Sequence, residues 1–433
     1  MRSDEKAAQA DTMEDVRSLE ERLMPISHSQ SQPRRIVVTG ASGSVGRELI
    51  PRLIADGADL LLVGRNPVAL SKSFLSCKTI GYDEIATKAA GYDLLVHLSV
   101  LNNNIEGRYE DFVAVNVDLA VETYRCARKA GIRRFIYVSS THALDSSASS
   151  FYAKTKREAT RRLEAMADGD LCTIYLPVVT GERLSGRLQV LNRFPGVFRT
   201  AALALIATFK PTVSADGIAA AIAEVSGSGR LIDARMIVTN GQSENWIFAA
   251  FKRFIDLAFA ISVVTLLGWL LIIIGVVIRL QSRGPALFRQ ARLGRHQRTF
   301  TCFKFRTMHV GVRDLGTHEV PASSVTKLGA FLRRTKLDEL PQVLNILTND
   351  MSLVGPRPSL PSQIEVVAAR TRRGVYAVKP GVTGLSQIRG IDMSTPEELA
   401  VSDTDYLKLQ SIALDCYIII RTVIGRGGSV SHR

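Results

Sequence analysis

An uncharged apolar run over residues 257–278, LAFAISVVTLLGWLLIIIGVVI, constrains this 433-residue chain more than any other feature. At 1.5 Å per residue, its 22 residues would form about 33 Å of helix, enough to cross the hydrocarbon core of a bilayer. A helix this long and this uniformly apolar is unusual in a soluble core. We therefore predict a membrane-associated helical segment over residues 249–284.

Basic residues on both sides of the apolar run predict its topology. Lys252 and Arg253 precede it, and five arginines follow it: Arg279, Arg283, Arg289, Arg292 and Arg295. Positive charge marks the cytoplasmic side of a membrane, so both ends should lie there. A re-entrant helix that bends within the bilayer satisfies this condition and is the arrangement we expect, although a helix lying along one leaflet satisfies it too. Gly268 and Trp269 occupy the middle of the run, where glycine permits a bend without imposing one.

Charge is unevenly distributed along the chain and indicates its partners. The net charge is +14, and residues 251–433 carry 25 Lys+Arg against 13 Asp+Glu, a net of +12. Because the sequence has no recognisable nucleic-acid-binding motif, this excess of positive charge predicts an anionic membrane and a phosphorylated substrate as partners, and no nucleic acid. Five widely separated cysteines without metal-ligand spacing fit a reducing compartment. The polar residues 1–33 predict a mobile tail and argue against a secretory signal.

Alternating apolar and helical segments predict the fold of residues 34–243. RRIVVTG, ADLLLVGRN, YDLLVHLSV and RRFIYVSST are typical of buried strands, and VNVDLAVETYRCARKAG and FYAKTKREATRRLEAMA of helices. Such alternation predicts an α/β fold with a doubly wound parallel sheet of the Rossmann type. The polar cluster TNGQSE at residues 239–244 marks a domain boundary.

A glycine-rich turn follows the first predicted strand. In VVTGASGSVG the glycines are Gly40, Gly43 and Gly46, and a helix follows at once. Glycines there let the backbone approach a pyrophosphate, which then sits at the helix N-terminus. An ordinary tight turn is the alternative, but the strand-turn-helix context favours a dinucleotide site.

Tyr152 and Lys156 in YAKTK are four residues apart and face the same way on a helix. An ammonium beside a phenol lowers the pKa of the phenol, although a surface pair would have the same spacing. With the glycine turn and the VSST segment, this pair resembles the extended branch of the short-chain dehydrogenase/reductases, which modify nucleotide sugars. The resemblance implies that Tyr152 is the acid/base, that Lys156 holds the nicotinamide ribose, and that Thr141 binds the substrate oxygen, with Ser140 as second choice.

Two departures from that family bear on cofactor and substrate. Fewer than 100 residues separate Lys156 from the apolar segment that begins at residue 249, so the sugar-binding part looks shortened. The second strand ends in Gly64-Arg65 without an acid for a ribose 2′-hydroxyl, and Arg65 could pair with a 2′-phosphate. This favours NADP over NAD, and reduction of a 4-keto sugar over epimerisation.

KLDELPQVLN places Asp338 and Glu339 side by side between leucines. Acids at a helix start would explain an isolated pair. However, this segment lies in the second of four consecutive sequence blocks. The blocks are SRGPALFRQARLGRHQRTFTCFKFRTM, LRRTKLDELPQVLNIL, NDMSLVGPRP and KPGVTGLSQIRG. In this order they resemble the bacterial sugar transferase family, the monotopic phosphoglycosyl transferases, over residues 249–433. Residues 285–433 would form the catalytic domain.

The transferase resemblance implies a reaction and a set of site residues. A phosphosugar passes from a UDP-sugar to polyprenol (undecaprenyl) phosphate with release of UMP, which begins a surface glycan. Asp338 would be the nucleophile and Glu339 its partner, both also binding Mg²⁺. The expected phosphate ligands are Arg306, Arg357, Lys304 and Arg334.

Together these patterns predict a bifunctional enzyme on the cytoplasmic face of the bacterial inner membrane, with membrane lipid among its partners. The N-terminal domain would modify the UDP-sugar that the C-terminal domain transfers. Two alternatives stay open at this stage. The N-terminal domain could be a non-catalytic module that senses a nucleotide or holds a homo-oligomer, or the whole chain could be a membrane scaffold without turnover.

Overall fold

The computed structural model describes residues 34–102, 105–181, 186–227, 233–309 and 324–425. The mobile tail expected for residues 1–33 lies outside this part of the chain. The described residues form a parallel sheet covered by helices, one long apolar helix, and a mixed C-terminal domain. The predicted fold class is therefore confirmed.

Seven parallel strands form the N-terminal sheet in the order β3-β2-β1-β4-β5-β6-β9. This order is that of a doubly wound fold, whose ligands bind beyond the carboxyl ends of β1 and β4, where the order reverses. A separate parallel pair joins β7 to β8. The strands are β1 Arg35–Thr39, β2 Asp59–Val63, β3 Lys78–Ile80, β4 Leu94–His97, β5 Arg134–Ser140, β6 Leu171–Leu176, β7 Val178–Thr180, β8 Thr212–Ser214 and β9 Arg235–Ile237.

Helices cover both faces of the sheet and make two hydrophobic cores. Ile36 and Val38 of β1 face one core and Val37 faces the other, as strand alternation requires. A π-helical turn, Ala114–Asp118, joins α4 to α5. The helices of this half are α1 Ser44–Ala55, α2 Pro67–Ser73, α3 Ile85–Lys88, α4 Tyr109–Val113, α5 Leu119–Lys129, α6 Phe151–Met166, α7 Gly196–Phe209 and α8 Ala215–Gly227.

The long apolar helix, α9, runs from Trp246 to Gln281, and its 36 residues give it a length of about 54 Å. Its N-terminus is capped by Asn245, whose side chain accepts from the Phe248 backbone N–H. One face packs on the C-terminal domain through Asp256, Ala260, Val263, Leu267, Ile274 and Ile278. The opposite face, called the exposed stripe below, consists of Ile261, Leu266, Trp269, Ile272, Val276 and Leu280.

The helix corrects one detail of the expected topology. It is continuous through Gly268 and Trp269, so the backbone break that a hairpin-like re-entrant segment needs is not there. The two basic residues before the apolar run, which were expected to mark the cytoplasmic side of the membrane, also make contacts within the protein. Lys252 forms a 2.6 Å ion pair with Asp415, and Arg253 donates to backbone carbonyls at the end of a neighbouring helix. Both charges therefore hold the helix to the C-terminal domain.

The C-terminal domain combines short strands with helices. An antiparallel hairpin joins β10, Leu287–Leu293, to β11, Thr299–Phe305, and a parallel pair joins β12, Ser352–Val354, to β13, Gly381–Thr383. Part of its core is built on α9, with Ala260 and Val263 inside it. The helices are α10 Lys327–Thr335, α11 Val343–Leu347, α12 Ile364–Arg372, α13 Leu385–Ile388, α14 Pro396–Leu409 and α15 Ile412–Val423.

Candidate active site

The carboxylate pair lies on a short 3₁₀ helix, Leu337–Gln342, between α10 and α11. Lys336 ends α10 in the left-handed conformation, with φ of 57°, and turns the chain sharply before Asp338 and Glu339. Both acids occupy the first turn, as a simple helix-start interpretation also requires. The contacts of Glu339 show that the pair does more than cap a helix.

Two cations from different elements converge on one oxygen of Glu339. Lys304 Nζ at the end of β11 lies 2.7 Å from Glu339 Oε1, and Arg357 Nη2 after β12 lies 2.9 Å from the same atom. Burial alone would raise the pKa of Glu339, but the charges of Arg357 and Lys304 and their hydrogen bonds hold it well below its usual range. Glu339 is therefore held as an anion, and it fixes two of the side chains that were predicted to bind phosphate.

Asp338 has the opposite electrostatic environment. Burial and the adjacent Glu339 charge raise the pKa of Asp338 to about 6, against the lowering effect of Lys304 and Arg333. The carboxylate is thus partly desolvated, and the ion pairs that the described residues form at this site are made by Glu339. A poorly solvated carboxylate beside fixed cations suits nucleophilic attack on a phosphate.

A buried network that the sequence analysis missed supports Arg357. Arg370 Nη1 donates to the Arg357 carbonyl at 2.7 Å, and Arg370 Nε donates to Asp403 Oδ2 at 2.9 Å. Ser386 Oγ donates to the other oxygen of Asp403 at 2.6 Å. Nothing in the sequence separates Arg370 from the exposed arginine two residues later, because their burial depends on the packing of α12 against α14.

Asn345 fixes the dyad helix relative to Lys304. Its Nδ2 donates to the Thr301 carbonyl at 2.7 Å, and its Oδ1 accepts from the Phe303 backbone N–H at 3.1 Å. Asn345 is fully buried, so both ends of its amide are used to join α11 to β11. The strand that carries Lys304 therefore lies at a fixed distance from the acids.

The structure separates two of the four predicted phosphate ligands from the dyad. Arg306 is buried and donates to the carbonyls of Ile278, Ser282 and Arg283 at and just after the end of α9, so its guanidinium is engaged there and not at the dyad. It is a helix C-cap. Arg334 is exposed on α10, with its guanidinium 6.0 Å from the centre of the Phe331 ring. Lys304 and Arg357 are the two that converge.

A small cavity adjoins the dyad. It measures about 180 Å³ and has Glu339, Arg357 and Lys336 on its charged side. Its apolar wall consists of Phe259, Leu340, Val343, Val382 and Ile388. An apolar wall beside a cationic cluster can hold a molecule that carries a phosphate on a hydrocarbon chain.

The described residues contain no group of three or more His, Cys, Asp or Glu side chains arranged for a metal ion. Mg²⁺ usually takes one or two protein carboxylates and completes its shell with water and substrate phosphates. Asp338 and Glu339 therefore fit a site that is shared with a diphosphate, and they do not form a site that is complete in itself.

In the N-terminal domain, the glycine turn has the geometry that a dinucleotide site requires. Gly40 has φ of +73°, and a Cβ there would lie 2.7 Å from the Ser99 backbone N. A Cβ at Gly46 would lie 2.5 Å from the Ala41 carbonyl oxygen. Gly43 caps the N-terminus of α1. The turn therefore brings bare backbone to the open end of β1, where the sheet order reverses.

Tyr152 is half-buried, and its phenol interacts with Ser140, the second-choice residue. Burial raises the pKa of Tyr152, and a hydrogen bond with Ser140 partly offsets this effect. Ser140 also lies 3.1 Å from His142 Nδ1. Among the two hydroxyls considered for the substrate oxygen, Ser140 is the one in contact with the phenol.

Lys156 does not tune Tyr152 in the arrangement observed. Its ammonium donates to the Val138 carbonyl at 2.8 Å and lies 4.6 Å from the centre of the Tyr137 ring. Burial lowers the pKa of Lys156 to about 7. Arg65 is exposed just after β2, close enough to Tyr82 to lower its pKa, although burial is the larger effect and raises it.

These two sites define an enzyme with a sugar-phosphate transferase domain and an NAD-type epimerase/dehydratase domain. The bacterial sugar transferase family matches residues 247–426, and the NAD dependent epimerase/dehydratase family matches residues 36–209. The chain belongs to the bacterial sugar transferase family. Both family predictions are therefore confirmed.

Curated relatives resemble the C-terminal part most strongly. A UDP-glucose:undecaprenyl-phosphate glucose-1-phosphate transferase of Caulobacter vibrioides is 39% identical over 183 residues, which cover 40% of this chain and 68% of that protein. The protein of the same name in Xanthomonas campestris pv. campestris is 32% identical, covering 60% of this chain but only 54% of that protein. The match thus spans about half to two thirds of these relatives.

Among solved structures, a UDP-N-acetylglucosamine 4-epimerase from Bacillus cereus is 15% identical and covers 52% of this chain and 84% of its own, with a TM-score of 0.37. At this level of similarity the comparison supports no functional argument. The assignment of the N-terminal domain rests on its strand order, its glycine turn and the family match.

Proposed function

We propose that this chain is a bifunctional membrane enzyme that starts a surface glycan. Its C-terminal domain transfers a phosphosugar from a UDP-sugar to undecaprenyl phosphate, and its N-terminal domain modifies the UDP-sugar beforehand. The observation that carries the proposal is the cluster at Glu339, where Lys304 and Arg357 share one carboxylate oxygen next to a desolvated Asp338.

The transfer would proceed in two displacements. An oxygen of Asp338 attacks the phosphorus that bears the sugar, the bond to the bridging diphosphate oxygen breaks, and UMP leaves. A phosphate oxygen of the polyprenol phosphate then attacks the same phosphorus and releases the carboxylate. Lys304 and Arg357 are placed to neutralise the phosphate charge, and Glu339 holds both of them in position.

Mg²⁺ is the metal that we expect at this site. Asp338 and Glu339 would hold it together with the diphosphate, and when bound it supplies positive charge that stabilises the leaving UMP. Glu339 would serve mainly as a fixed anion, because its ion pairs oppose protonation. Proton transfer is therefore not its expected role.

The packing of α9 favours a helix that lies along one leaflet. Buried residues occur from Asp256 to Ile278, so the C-terminal domain follows almost the whole helix. An upright crossing would draw that domain into the hydrocarbon, whereas a shallow orientation leaves the domain in water and immerses the exposed stripe. Both helix ends then lie on the cytoplasmic face of the inner membrane.

This topology has a direct test by cysteine labelling in intact cells. Cysteines replacing Glu244 and Gln281, on the two sides of the helix, should both be shielded from an impermeant thiol reagent until the inner membrane is opened. Labelling of the Gln281 position alone from outside would demonstrate a single crossing and would contradict the leaflet arrangement.

For the N-terminal domain we propose an NAD- or NADP-dependent 4-keto reduction or epimerisation. Tyr152 would exchange the proton with the sugar oxygen, Ser140 would orient that oxygen, and the turn at Gly40 would hold the cofactor phosphates. The cofactor supplies or accepts the hydride when bound. The exposed Arg65 at the end of β2 favours NADP through its 2′-phosphate.

A non-catalytic nucleotide-binding role is the second candidate for this domain. The position of Lys156 favours it, because the ammonium is directed to the Val138 carbonyl and does not act on Tyr152. In that case a cofactor would bind without turnover. The two candidates differ in whether any UDP-sugar changes the absorbance of the cofactor.

One experiment tests both halves of the proposal. The purified full chain, with undecaprenyl phosphate and Mg²⁺, is incubated with a panel of UDP-sugars in the presence and absence of NADPH or NADH. We expect UMP release with at least one sugar, lost in Asp338→Asn, and a cofactor absorbance change, lost in Tyr152→Phe. UMP release that persists in Asp338→Asn would remove the aspartyl intermediate, and binding without redox change would favour the second candidate.

A further inference from the structure

Helix α7 is apolar on nearly all sides, yet the protein hardly covers it. Its sequence is GVFRTAALALIATF, and of its fourteen residues only Thr208 is buried. The side chains of Val197 and Phe198 are 81% and 68% exposed. A helix that is hydrophobic all round belongs in a protein core or in a membrane, and the described residues cover only part of α7.

The uncovered residues of α7 form a continuous line. Phe198, Ala201, Leu205 and Phe209 follow one another at intervals of three or four, which places them on one face, and all four are exposed. At fourteen residues, the helix measures about 21 Å, too short to cross a bilayer. It is long enough to lie in the plane of one leaflet.

Helix α7 is bound to the beginning of α9. Asn245 Nδ2 donates to the Ala204 carbonyl at 3.0 Å, and Gln242 Nε2 donates to the Ala207 carbonyl at 2.5 Å. The Phe209 ring lies 5.8 Å from that of Phe251 on α9 in an edge-to-face contact. The two helices are therefore joined at the point where α9 starts.

The apolar surface continues beyond α7 on both sides. On α9, Phe251 and Phe254 are exposed near the contact with α7. Helix α15 also packs against α7 and exposes apolar side chains of its own, namely Tyr417, Ile420 and Val423. Three neighbouring helices, one from the N-terminal domain, the long helix and one from the C-terminal domain, thus all expose apolar side chains.

We propose that α7 is a second membrane-binding element, which inserts its exposed face into the same leaflet as α9. This inference rests on the membrane placement of α9 proposed above. A lipid bilayer fits α7 because its surface is continuous with α9 and because exposed Arg193 and Lys210 flank the helix and suit anionic headgroups. The N-terminal domain is then held at the membrane by residues of its own.

Site-specific fluorescence tests this placement in the full chain. Cys77, Cys126 and Cys416 are replaced by serine, and the buried Cys172 and Cys302 are kept. An environment-sensitive fluorophore is attached at Leu205→Cys, and the protein is placed in vesicles of anionic and zwitterionic phospholipid with nitroxide-labelled acyl chains. Ile272→Cys on the exposed stripe of α9 and Lys72→Cys on α2 are the matched controls, and UMP release confirms folding of each variant.

We expect nitroxide lipids to quench the labels at positions 205 and 272 and to leave position 72 bright. Quenching at 272 without quenching at 205 would overturn the inference and leave the membrane placement of α9 intact. Loss of quenching at both positions would refute both. Lipid-insensitive fluorescence at 205, together with a disulfide between two chains of the unlabelled Leu205→Cys variant under oxidation, would show that a second copy covers α7 and would also overturn it.

Discussion

Asp338 and Glu339 are neighbours in sequence, but their substitutions should change stability in opposite directions. Asp338 is a carboxylate that the fold makes difficult to ionise, whereas Glu339 is one that the fold keeps ionised. Replacing each by its amide removes the charge and keeps the shape. Comparing the two variants separates the destabilising effect of the Asp338 charge from the stabilising effect of the Glu339 charge.

For Asp338, the displacement of the pKa from its ordinary 3.8 to about 6 corresponds to roughly 3 kcal/mol. Because the pKa is raised in the folded state, the carboxylate destabilises the fold above pH 6, and this cost disappears below pH 4. Asp338→Asn should therefore stabilise the protein by up to about 3 kcal/mol at pH 8. Near pH 4 the gain should vanish, while activity is lost at every pH.

For Glu339, the pKa is lowered in the folded state, so the ionised group contributes stability above its unfolded pKa. Glu339→Gln leaves Lys304 and Arg357 close together without their shared anion. Breaking a buried ion pair by removing one partner costs about 3–5 kcal/mol of stability. Because the Arg357 side chain is partly exposed, we expect Glu339→Gln to cost an amount near the lower end of this range. The destabilisation should be equal at pH 5 and pH 8 and should shrink only below the ordinary pKa of 4.5, where the glutamate of the unfolded wild-type chain takes up a proton.

Both effects can be measured by thermal or denaturant unfolding of the purified full chain in one detergent, at pH 5 and pH 8. The wild type and the two amides are compared at matched protein concentration. Equal stability of Asp338→Asn and wild type at pH 8 would refute the desolvation argument. A more stable Glu339→Gln protein would show that its ion pairs do not stabilise the fold.

Three further predictions follow from the geometry. UMP release at saturating UDP-sugar should rise with pH through about 6 and then level off, because Asp338 must be ionised to attack; a pH-independent rate would contradict this. Arg306→Ala should destabilise the protein by about 2–3 kcal/mol without raising KM for UDP-sugar, whereas Arg357→Ala should raise KM and lower kcat. Ser140→Ala should slow the cofactor-dependent step more than Thr141→Ala does. If Thr141→Ala slows NADPH oxidation more, Thr141 is the residue that binds the substrate oxygen.

The parallel sheet could be predicted from sequence because its signals are local. The Val- and Leu-rich strands and the glycine turn each fix a short piece of backbone, and a doubly wound order follows from their alternation. The partners of Glu339 could not be predicted in this way. Lys304 and Arg357 are 35 and 18 residues away, and only the tertiary fold brings them to one oxygen.

Arg306 shows why a plausible site residue can be misplaced. It lies two residues after Lys304, and strand alternation would put both on the same face. However, β11 ends at Phe305, so the alternation does not extend to Arg306. Its guanidinium instead reaches the last carbonyls of α9, an acceptor set that the sequence does not reveal.

The long helix illustrates the same limit for topology. Two basic flanks predicted a helix with both ends on one side, and a bend at Gly268 was one way to achieve this. The continuous helix leaves the alternative, in which one face contacts the domain and the other contacts lipid. Composition cannot distinguish the two arrangements, because the residues of the packed face, apart from Asp256, are as apolar as those of the exposed stripe.

The separation of α7 from the sheet cores explains how the N-terminal domain could acquire a surface of this kind. No residue of α7 belongs to either hydrophobic core of the sheet. Its sequence is therefore constrained by its contacts with α9 and by its surroundings, and the fold of the sheet does not depend on it. Contacts elsewhere fix the domain independently, since Asp405 on α14 accepts from both Arg235 of β9 and Arg389 at 3.1 Å. A domain that is docked on the transferase and holds one helix outside its cores can present that helix to the membrane without loss of those cores.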